Sequence, residues 1–568
     1  MEIPQSARDL VRNPLGAASD AAFQAKVLHD VGILRPSGPR QLARSLQTLA
    51  RWGTSPGALT QLAAIRDPDA VAVSDEIGEL TFRDLDDRSN ALASSLAERG
   101  VGPGDGIGIM IRNHRGFIDA TSAAAKLGAS ILFLNTAFAG RQLVEVMERE
   151  GPEVLIYDHE FEGLLEGLPG SITKVVSWHE EEVPDADASE MLIEGGDRAA
   201  RTRPDQDARF VILTSGTTGT PKGAQRSNTT GLGNATALMD RIPYRRGDKM
   251  MIAAPMFHSW GFMHMVIAIG TSHTIILRRK FDPEETLRAT AESGAQVLAV
   301  VPVMMQRILE LPDETLRSFD LSALRITAVS GSALPGEMAT RWMDLFGDNV
   351  YNLYGSTEVA IATIASPQDL RAAPGTAGRP PRNTVVKIYD PDGEELPAGE
   401  TGRIFVGSDI PFEGYTGGGS KESIDGLLSS GDVGYFDEEG RLHVSGRDDE
   451  MIVSGGENVF PREVEDLLSE HDDVAEVAVI GVDDDEFGQR LKAFVVTRDS
   501  GDPSEDDLKG YVKQNLANYK TPREVVFLEE LPRNATGKVL KRELVEGEDG
   551  DDDQDAGGGG DQDAGGDE

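Results

Sequence analysis

Strand-like and helix-like runs alternate between residues 56 and 205, and this alternation constrains the fold more than any other feature. The runs "AVAVSD", "GIGIMI" and "SILFLN" have the length and apolar content of buried strands. Runs at helical spacing lie between them, such as "RDLDDRSNALASSLAERG". Parallel strands need long crossover connections, which are usually helices. The pattern therefore predicts an α/β fold, with parallel sheets and helices on their faces.

The pattern changes twice further along the chain. After about Pro380, short strands separated by turns predict a small antiparallel, barrel-like layer. Beyond Gly446, a helix, two strands, a helix and a strand predict a small α+β domain. The predicted organisation is a helical extension over residues 1–55, a large domain over 56–446, a small mobile C-terminal domain over 447–545 and a disordered acidic tail over 546–568.

The N-terminal stretch "LARSLQTLARW" places Leu and Ala on one helical face. We expect this face to pack on the main body, and weak contact with a membrane surface is the alternative. No run of about 18 apolar residues predicts a membrane span. The N-terminus lacks the pattern of a signal peptide, and the chain has no cysteine, so we expect a cytoplasmic protein without disulfides.

Acidic residues dominate the 568-residue chain. There are 96 Asp and Glu against 55 Lys and Arg, which gives a formal net charge of −41. Such a surface repels nucleic acid and anionic lipid, so neither is expected as a partner. The acidic residues are spread along the whole chain, which favours adaptation to high salt. An ordinary acidic enzyme with an acidic tail is the alternative.

The loop "ILTSGTTGTPKGAQRSN" is the strongest local signal. It follows the apolar strand "RFVILT" and precedes the helical run "NATALMDRI", so it lies at the carboxyl end of a strand, where open α/β sheets bind ligands. Its glycines permit close backbone approach, and its hydroxyl groups and one lysine suit a polyphosphate. A plain flexible loop is the alternative. The expected phosphate contacts are Ser215, Gly216, Thr217, Thr218, Gly219 and Lys222.

This loop resembles the phosphate loop of the adenylate-forming superfamily, which comprises acyl-CoA synthetases, luciferases and adenylation domains. Four further motifs follow in the order typical of that superfamily: "YGSTE", "SGDVGYFDEEGRLHVSGRDDEMI", "VSGGENVFPREVE" and "PRNATGKVLKREL". The resemblance covers about residues 56–545. It is closest to fatty acyl-CoA synthetases of haloarchaeal-like type.

The resemblance implies an ATP- and magnesium-dependent acid–thiol ligase. Such an enzyme converts a carboxylic acid to an acyl-AMP and then to a coenzyme A thioester, releasing pyrophosphate and AMP. A medium- or long-chain fatty acid is the first choice, partly because "MFHSWGF" is similar to fatty acyl-CoA ligases. An aryl-CoA ligase, a carrier-protein ligase, a luciferase and a non-catalytic nucleotide-binding regulator are the alternatives.

The resemblance also implies roles for individual residues. Lys538 would contact the forming acyl–phosphate oxygen, and His258 would guard the carboxylate end of the acyl pocket. Glu358 and Thr214 would hold magnesium on the phosphates. A surface lysine, a packed core histidine and a salt-bridged glutamate are the alternatives for Lys538, His258 and Glu358 respectively.

Further residues match nucleotide and thiol positions of the superfamily. Asp432 would accept the ribose hydroxyls, Arg447 would contact ribose and phosphate, and Asp449 would form the hinge between two poses of the small domain. Gly488-Gln489 departs from a Gly-Glu pair that is common in relatives. The remaining positions implied for adenine, for neighbouring nucleotide contacts and for the thiol channel are Gly331, Ser332, Ala333, Tyr354, Gly355, Ser356, Thr357, Gly455 and Gly456.

The charge pattern generates one testable prediction. Repulsion among the acidic groups should destabilise the fold in dilute buffer, and at 1 M salt the Debye length of about 3 Å should screen it. We expect the unfolding free energy and the activity to rise as NaCl is raised to the molar scale, measured by urea denaturation and turnover. Full stability in dilute buffer would contradict salt adaptation.

Overall fold

The computed structural model of the protein describes residues 14–34, 38–53, 55–180, 188–214, 222–226, 233–408, 412, 414–415, 420–454, 457–484, 488–498, 501–534 and 537–549. The chain forms two compact units. The larger unit comprises Met1–Ser430 and Gly434–Val444, and the smaller unit comprises Gly431–Val433 and Ser445–Glu568. The domain bounds predicted from the sequence remain predictions.

The helices of the larger unit lie mainly between strands, as the alternating sequence pattern predicts. Their bounds are α1 Pro14–Val31, α2 Pro39–Trp52, α3 Pro56–Arg66, α4 Phe82–Glu98, α5 Arg115–Leu127, α6 Gly140–Glu150, α7 Ser189–Gly195, α8 Gly233–Arg241, α9 Ser259–Gly270, α10 Pro283–Ser293, α11 Pro302–Leu309, α12 Asp313–Ser318, α13 Gly336–Phe346 and α14 Pro367–Ala372. None of the helices in the described part of the chain has the length and hydropathy needed to cross a membrane.

Local sequence sets the ends of several of these helices. Thr81 and Asp84 form a reciprocal capping box at the start of α4, in which the Thr81 hydroxyl accepts from the Asp84 amide at 3.1 Å. Helix α5 ends at Gly128, whose φ of 72° suits glycine. The N-terminal cap at Thr81 contributes about 1 kcal/mol to the stability of the helix.

A six-stranded sheet is built from the first half of the larger unit. Its strand order is β6-β5-β3-β4-β7-β8, and all neighbours are parallel except β7 and β8. Leu143, Met147 and Tyr157 belong to the apolar cluster that packs on it. The strands are β3 Gly106–Met110, β4 Ser130–Phe133, β5 Val154–Asp158, β6 Thr173–Trp178, β7 Phe210–Thr214 and β8 Lys222–Arg226.

An eight-stranded sheet has the order β14-β13-β12-β11-β9-β10-β1-β2. The two outermost pairs are antiparallel and the inner pairs are parallel. Every side chain of its central strand β11 is fully buried. The strands are β1 Val71–Asp75, β2 Gly78–Thr81, β9 Lys249–Ile252, β10 Thr274–Ile276, β11 Val297–Val300, β12 Ile326–Val329, β13 Val350–Ser356 and β14 Ala360–Ala365.

The short strands predicted after Pro380 form a five-stranded sheet of order β15-β16-β18-β17, with β19 paired to β18. The pairs β15–β16 and β17–β18 are antiparallel, as predicted. The strands are β15 Val385–Tyr389, β16 Gly402–Gly407, β17 Ser423–Ile424, β18 Leu427–Phe436 and β19 Leu442–Arg447. The α/β fold with a small strand layer is therefore confirmed.

The smaller unit is α+β, as predicted. Its five-stranded sheet has the order β21-β20-β23-β22, with β24 parallel to β23. Val464, Leu491 and Leu508 are fully buried between this sheet and its helices. The elements are β20 Ile452–Ser454, β21 Glu457–Val459, α15 Pro461–Ser469, β22 Val474–Asp484, β23 Gly488–Thr497, α16 Glu505–Asn515, β24 Glu524–Phe527 and α17 Lys541–Asp549.

Two expectations about the termini need correction. Helix α17 continues to Asp549, four residues into the predicted disordered tail, because helical hydrogen bonds need no apolar side chains beyond Leu544. Residues 550–568 lie outside the described residues. Helix α2 contacts the body through Thr48 and Trp52, whereas its leucines, which we expected to be buried, are 41–58% exposed.

A third difference concerns the segment after the phosphate loop. Residues 222–226, which the sequence assigned to a loop, form strand β8 antiparallel to β7, with Thr214 opposite Lys222. The backbone of β7 has β4 on its other side, so β8 supplies the second set of hydrogen-bond partners. Helix α8 then begins at Gly233, close to its predicted start.

Candidate functional site

The carboxyl ends of four parallel strands bring several predicted site residues, among them His258 and Tyr354, to one edge of the eight-stranded sheet. Strands β9, β11, β12 and β13 are consecutive parallel neighbours. The exposed turn 331–333 follows β12, and Tyr354, Gly355 and Ser356 end β13. His258 follows β9. Open α/β sheets bind ligands at such an edge.

Two of the predicted glycines are required by the backbone. Gly331 has a φ of +103°, and a Cβ there would approach Val301 Cγ1 to 3.3 Å. A Cβ on Gly355 would lie 1.9 Å from the Ala360 carbonyl oxygen in the irregular β13–β14 pairing. These positions therefore keep the backbone of the edge close-packed and leave no room for a side chain.

Tyr354, near the end of β13, has a packed side and an exposed side. Its side chain packs against the apolar cluster that contains Val359 and Ala362, yet it stays partly exposed at the carboxyl end of β13. The packed part of the ring is structural. Its exposed part lies where the superfamily resemblance implies contact with adenine.

Glu358 is held by two hydroxyl groups. The Tyr415 hydroxyl donates to Oε1 at 2.8 Å, and the Ser356 hydroxyl donates to Oε2 at 2.8 Å. Both of these partners are neutral hydroxyl groups, and each leaves a lone-pair direction on its carboxylate oxygen for a cation. The described residues contain no cluster of three or more metal-ligating side chains. The site therefore fits a magnesium ion held by one carboxylate and substrate phosphates.

His258 lies just before helix α9, with its ring centroid 4.4 Å from that of Phe257. Burial lowers the pKa of His258 to about 4, so the imidazole is neutral at physiological pH. Its Nε2 atom is buried and has no hydrogen-bond partner among the described residues. A buried unsatisfied nitrogen costs free energy and is suited to a ligand that supplies the missing partner.

Helix α9 contains the apolar run "WGFMHMVIAIG", and its faces differ in burial. One face is core: Trp260 Nε1 donates to the Val300 carbonyl oxygen at 2.9 Å, and the His264 ring is fully buried. The stripe of Phe262, Met263 and Val266 is only partly buried. The helix therefore has one face in the core and a stripe that stays partly exposed.

The stripe meets aromatic side chains of the six-stranded sheet. The Phe262 ring centroid lies 4.9 Å from that of Phe133 and 5.1 Å from that of Phe210. Phe133 also lies 5.3 Å from Phe117 in a stacked arrangement. These tilted and stacked contacts are favourable geometries for aromatic rings. They form an aromatic cluster, Phe117, Phe133, Phe210 and Phe262, one helical turn beyond His258.

Asn113 is a residue that the sequence interpretation missed. Its amide donates to the carbonyl oxygens of Ile252 at 3.2 Å and Ala254 at 2.9 Å, and its side-chain oxygen accepts from the Met256 amide at 2.9 Å. It is 6% exposed. Asn113 thus fixes the segment that leads from β9 to His258. Its position just beyond β3, at the carboxyl end of a parallel strand, was the signal that could have found it.

Part of the predicted phosphate site lies outside the described residues. Thr214 ends β7 and Lys222 begins β8, and only their backbone is described. Thr357 follows β13 and is partly buried. The phosphate-loop positions outside the described residues are Ser215, Gly216, Thr217, Thr218 and Gly219. Gly455 and Gly456, which were predicted to line the thiol channel, also lie outside them.

In the smaller unit, Arg447 joins Asp432, the predicted ribose contact, and Asp449, the predicted hinge residue. Its guanidinium lies 3.4 Å from an Asp432 oxygen and 3.1 Å from an Asp449 oxygen. Burial lowers the pKa of Arg447, but the two carboxylates more than offset this and raise it overall. A side chain on Gly431 would approach this guanidinium to 3.1 Å. The structure therefore brings Asp432, Arg447 and Asp449 together.

Lys538 is exposed at a tight turn of the smaller unit. The Lys538 amide donates to Asn534 Oδ1 at 2.9 Å, and Gly537 adopts a φ of +77°. Arg533 anchors the turn to Glu476 of β22 at 3.0 Å. Lys541 anchors the following helix through Glu450 and Glu465 at 3.1 and 2.8 Å. The fixed flanks present the Lys538 ammonium to solvent.

Comparison with known proteins adds family evidence to this geometry. Residues 61–416 match the family described as AMP-binding enzyme, and residues 463–538 match the AMP-binding enzyme C-terminal domain. A Rhodococcus jostii CoA ligase, named for a propanoyl group on a methyl-dioxo-octahydroindene ring, is 31% identical over 87% of this chain and 98% of its own length.

Two further relatives have names that refer to aromatic acids. A feruloyl-CoA synthase from Amycolatopsis is 32% identical and covers 84% of this chain and 96% of its own length. The solved structure of the o-succinylbenzoate CoA synthetase of Bacillus subtilis, in complex with an acyl-adenylate, is 28% identical. It covers 86% of this chain and 97% of its own chain, with a TM-score of 0.75.

The role of Asn113 can be tested by Asn113→Ala. Leaving buried backbone groups unpaired should lower the unfolding free energy by about 2–3 kcal/mol. Displacing His258 should also lower kcat/KM for the acid tenfold or more. Urea denaturation and steady-state kinetics measure the two effects.

Asn349→Ala is the matched control. Asn349 is 3% exposed, its amide donates to two carbonyl oxygens, and its side-chain oxygen accepts from Thr327. It lies just before β13, at the edge of the eight-stranded sheet opposite to His258. It should lose similar stability and keep kcat/KM. Equal kinetic losses in both variants would show that Asn113 acts only through stability.

Proposed function

The chain belongs to the family of AMP-binding enzymes, and we propose that it joins a ring-bearing carboxylic acid, such as an aromatic acid, to coenzyme A. Its general activity is that of an AMP-forming acid–thiol ligase, which makes an acyl- or aryl-CoA through an acyl-AMP with ATP and coenzyme A as substrates. The observation that carries the choice of acid is the partly exposed ring of Phe262 beyond His258, which packs against the buried rings of Phe133 and Phe210.

The reaction proceeds in two displacements. A carboxylate oxygen attacks the α-phosphorus of ATP, the bond from that phosphorus to the bridging oxygen breaks, and pyrophosphate leaves. The thiol sulfur of coenzyme A then attacks the acyl carbon, the carbon–oxygen bond to AMP breaks, and the thiol proton is released. Carboxylate and ATP are both anions, so the protein's main tasks are alignment and charge stabilisation.

His258 is suited to orient the carboxylate. A neutral imidazole can donate one hydrogen bond to a carboxylate oxygen without the strong charge pairing that would stabilise the ground state and weaken the nucleophile. The same bond would satisfy the buried Nε2 atom. The ring of the acid would then extend toward Phe262, the partly exposed member of the aromatic cluster, where a stacked or tilted contact can form.

Glu358 and Thr214 would hold the magnesium ion. When bound to the phosphates, magnesium neutralises charge that develops on pyrophosphate as it leaves. The described hydrogen-bond partners of Glu358 are two neutral hydroxyl groups, which leave lone pairs of the carboxylate for a cation. Asp432 can accept both ribose hydroxyls, while Arg447, 3.4 Å away, limits the repulsion between that carboxylate and the α-phosphate.

Lys538 would serve the adenylation step only. Lys538 is exposed at the end of a turn whose flanks are anchored within the smaller unit. The superfamily resemblance implies that this unit changes pose between the two displacements, with Asp449 at the hinge. In the second pose, Lys538 would be withdrawn and Gly455 and Gly456 would line the thiol channel.

The acid can be identified with a panel of carboxylic acids, ATP and coenzyme A, followed by pyrophosphate release and thioester mass. Cinnamic, benzoic and arylacetic acids should exceed octanoic and palmitic acids in kcat/KM at least tenfold. The opposite order would contradict the proposed ring-bearing acid and would support the fatty acid substrate that the sequence motifs favoured. ATP binding without turnover of any acid would favour a non-catalytic regulator.

The role of Lys538 can be tested by Lys538→Ala. Removing the ammonium should lower acyl-AMP formation at least a hundredfold, since charge stabilisation of this kind is worth a few kcal/mol. Thioester formation from a supplied acyl-AMP should change less than twofold. Each half-reaction is measured separately by mass spectrometry.

Lys513→Ala is the control, because Lys513 is an exposed lysine on helix α16 of the same unit. It should leave both half-reactions intact. Equal loss of both half-reactions in Lys538→Ala would contradict the assigned role.

A further inference from the structure

We propose that Tyr415 is a positioning residue that holds Glu358 ready for magnesium and thereby sets how strongly magnesium promotes ATP binding. The inference rests on the proposed function, in which Glu358 is the metal ligand. Tyr415 lies outside every motif that the sequence interpretation used. It is 57 residues beyond Glu358 along the chain, between strands β16 and β17.

The two oxygens of Glu358 are held by different parts of the larger unit. Ser356, two residues before Glu358, donates to Oε2 at 2.8 Å and accepts from the amides of Glu358 and Val359 at 3.2 and 3.3 Å. Oε1 receives the Tyr415 hydroxyl at 2.8 Å. A bond from the local turn alone would leave the carboxylate free to rotate, and the second bond from a distant segment fixes its plane.

The chemistry of the donors suits a metal ligand. Each carboxylate oxygen has two lone-pair directions, so a hydroxyl that occupies one leaves the other for a cation. A lysine or arginine in the place of Tyr415 would cancel the charge and compete with magnesium. Neutral hydroxyl donors orient the ligand and keep its charge, which is how residues behind a metal ligand commonly act.

Tyr415 is itself oriented by an aromatic neighbour. The Phe412 ring lies 5.1 Å from the Tyr415 ring at an interplanar angle of 75°. Such an edge-to-face contact fixes the direction of the ring and therefore of its hydroxyl. Tyr415 is partly buried. The pair Phe412–Tyr415 thus connects the segment after β16 to the metal ligand after β13.

The test is Tyr415→Phe, which removes the hydroxyl and keeps the ring. ATP binding is measured by calorimetry on the full chain, with excess magnesium and again with EDTA. We expect the Kd for ATP with magnesium to rise about tenfold, in line with the loss of other residues that orient metal ligands. The Kd in EDTA should change less than twofold, because Tyr415 acts on the metal ligand and not on the nucleotide.

Tyr389→Phe is the matched control. Tyr389 also donates its hydroxyl to a carboxylate of the larger unit, Asp425, at 3.2 Å, but neither residue belongs to the proposed site. It should match the wild type in both conditions. Equal losses with and without magnesium in Tyr415→Phe, or no loss at all, would overturn the inference.

A double-mutant cycle with Glu358→Gln separates this inference from the proposed function. If Tyr415 acts through Glu358, Tyr415→Phe should have no further effect in the Glu358→Gln background. Full additivity would overturn the inference. A wild-type chain that binds ATP equally with magnesium and with EDTA would instead refute the metal role of Glu358, and a wild type that binds no ATP would refute the proposed function.

Discussion

Parallel strand pairing is the constraint on which the rest of the structure depends. Parallel neighbours point the same way, so the segments that follow them emerge at one edge, whatever their separation along the chain. In the eight-stranded sheet this pairing brings together His258, the turn 331–333 and the segment from Tyr354 to Glu358. The buried strand β11 at the centre keeps these ends in register.

The proposed substrates are anions, although the chain carries a net charge of −41. In the larger unit, burial lowers the pKa of His258 to about 4, so this side chain adds no charge at physiological pH. In the smaller unit, Lys538 is exposed and Arg447 is paired with the carboxylates of Asp432 and Asp449. Because screening limits long-range repulsion to about a Debye length, the groups within a few ångströms decide what binds.

Several buried polar contacts link distant parts of the chain to the site. Asn113 follows a strand of the six-stranded sheet and fixes the segment before His258 in the eight-stranded sheet. Tyr415 links the segment after β16 to Glu358. Each contact is a single side chain with ideal hydrogen-bond lengths, which explains why neither produces a recognisable motif in the sequence.

The sequence by itself determined the α/β class, the helices from α4 to α6, the strands between them and the residue types of the nucleotide motifs. Local signals suffice there, because apolar periodicity and capping residues act within a few positions. It did not determine that β1 and β2 join a different sheet from β3, nor that "KGAQR" forms strand β8. Both outcomes depend on which strand of the folded chain has an edge whose backbone N–H and C=O groups are still unpaired.

Only the tertiary structure decided how the site residues are supported. It separated the core face of α9 from its partly exposed stripe, and it placed Phe262 against Phe133 and Phe210. It also reversed the expectation for α2, which packs through Thr48 and Trp52 and exposes its leucines. The physical reason is the same in each case: a residue's own sequence neighbours fix its local conformation, whereas its contacts depend on elements that are distant in the chain.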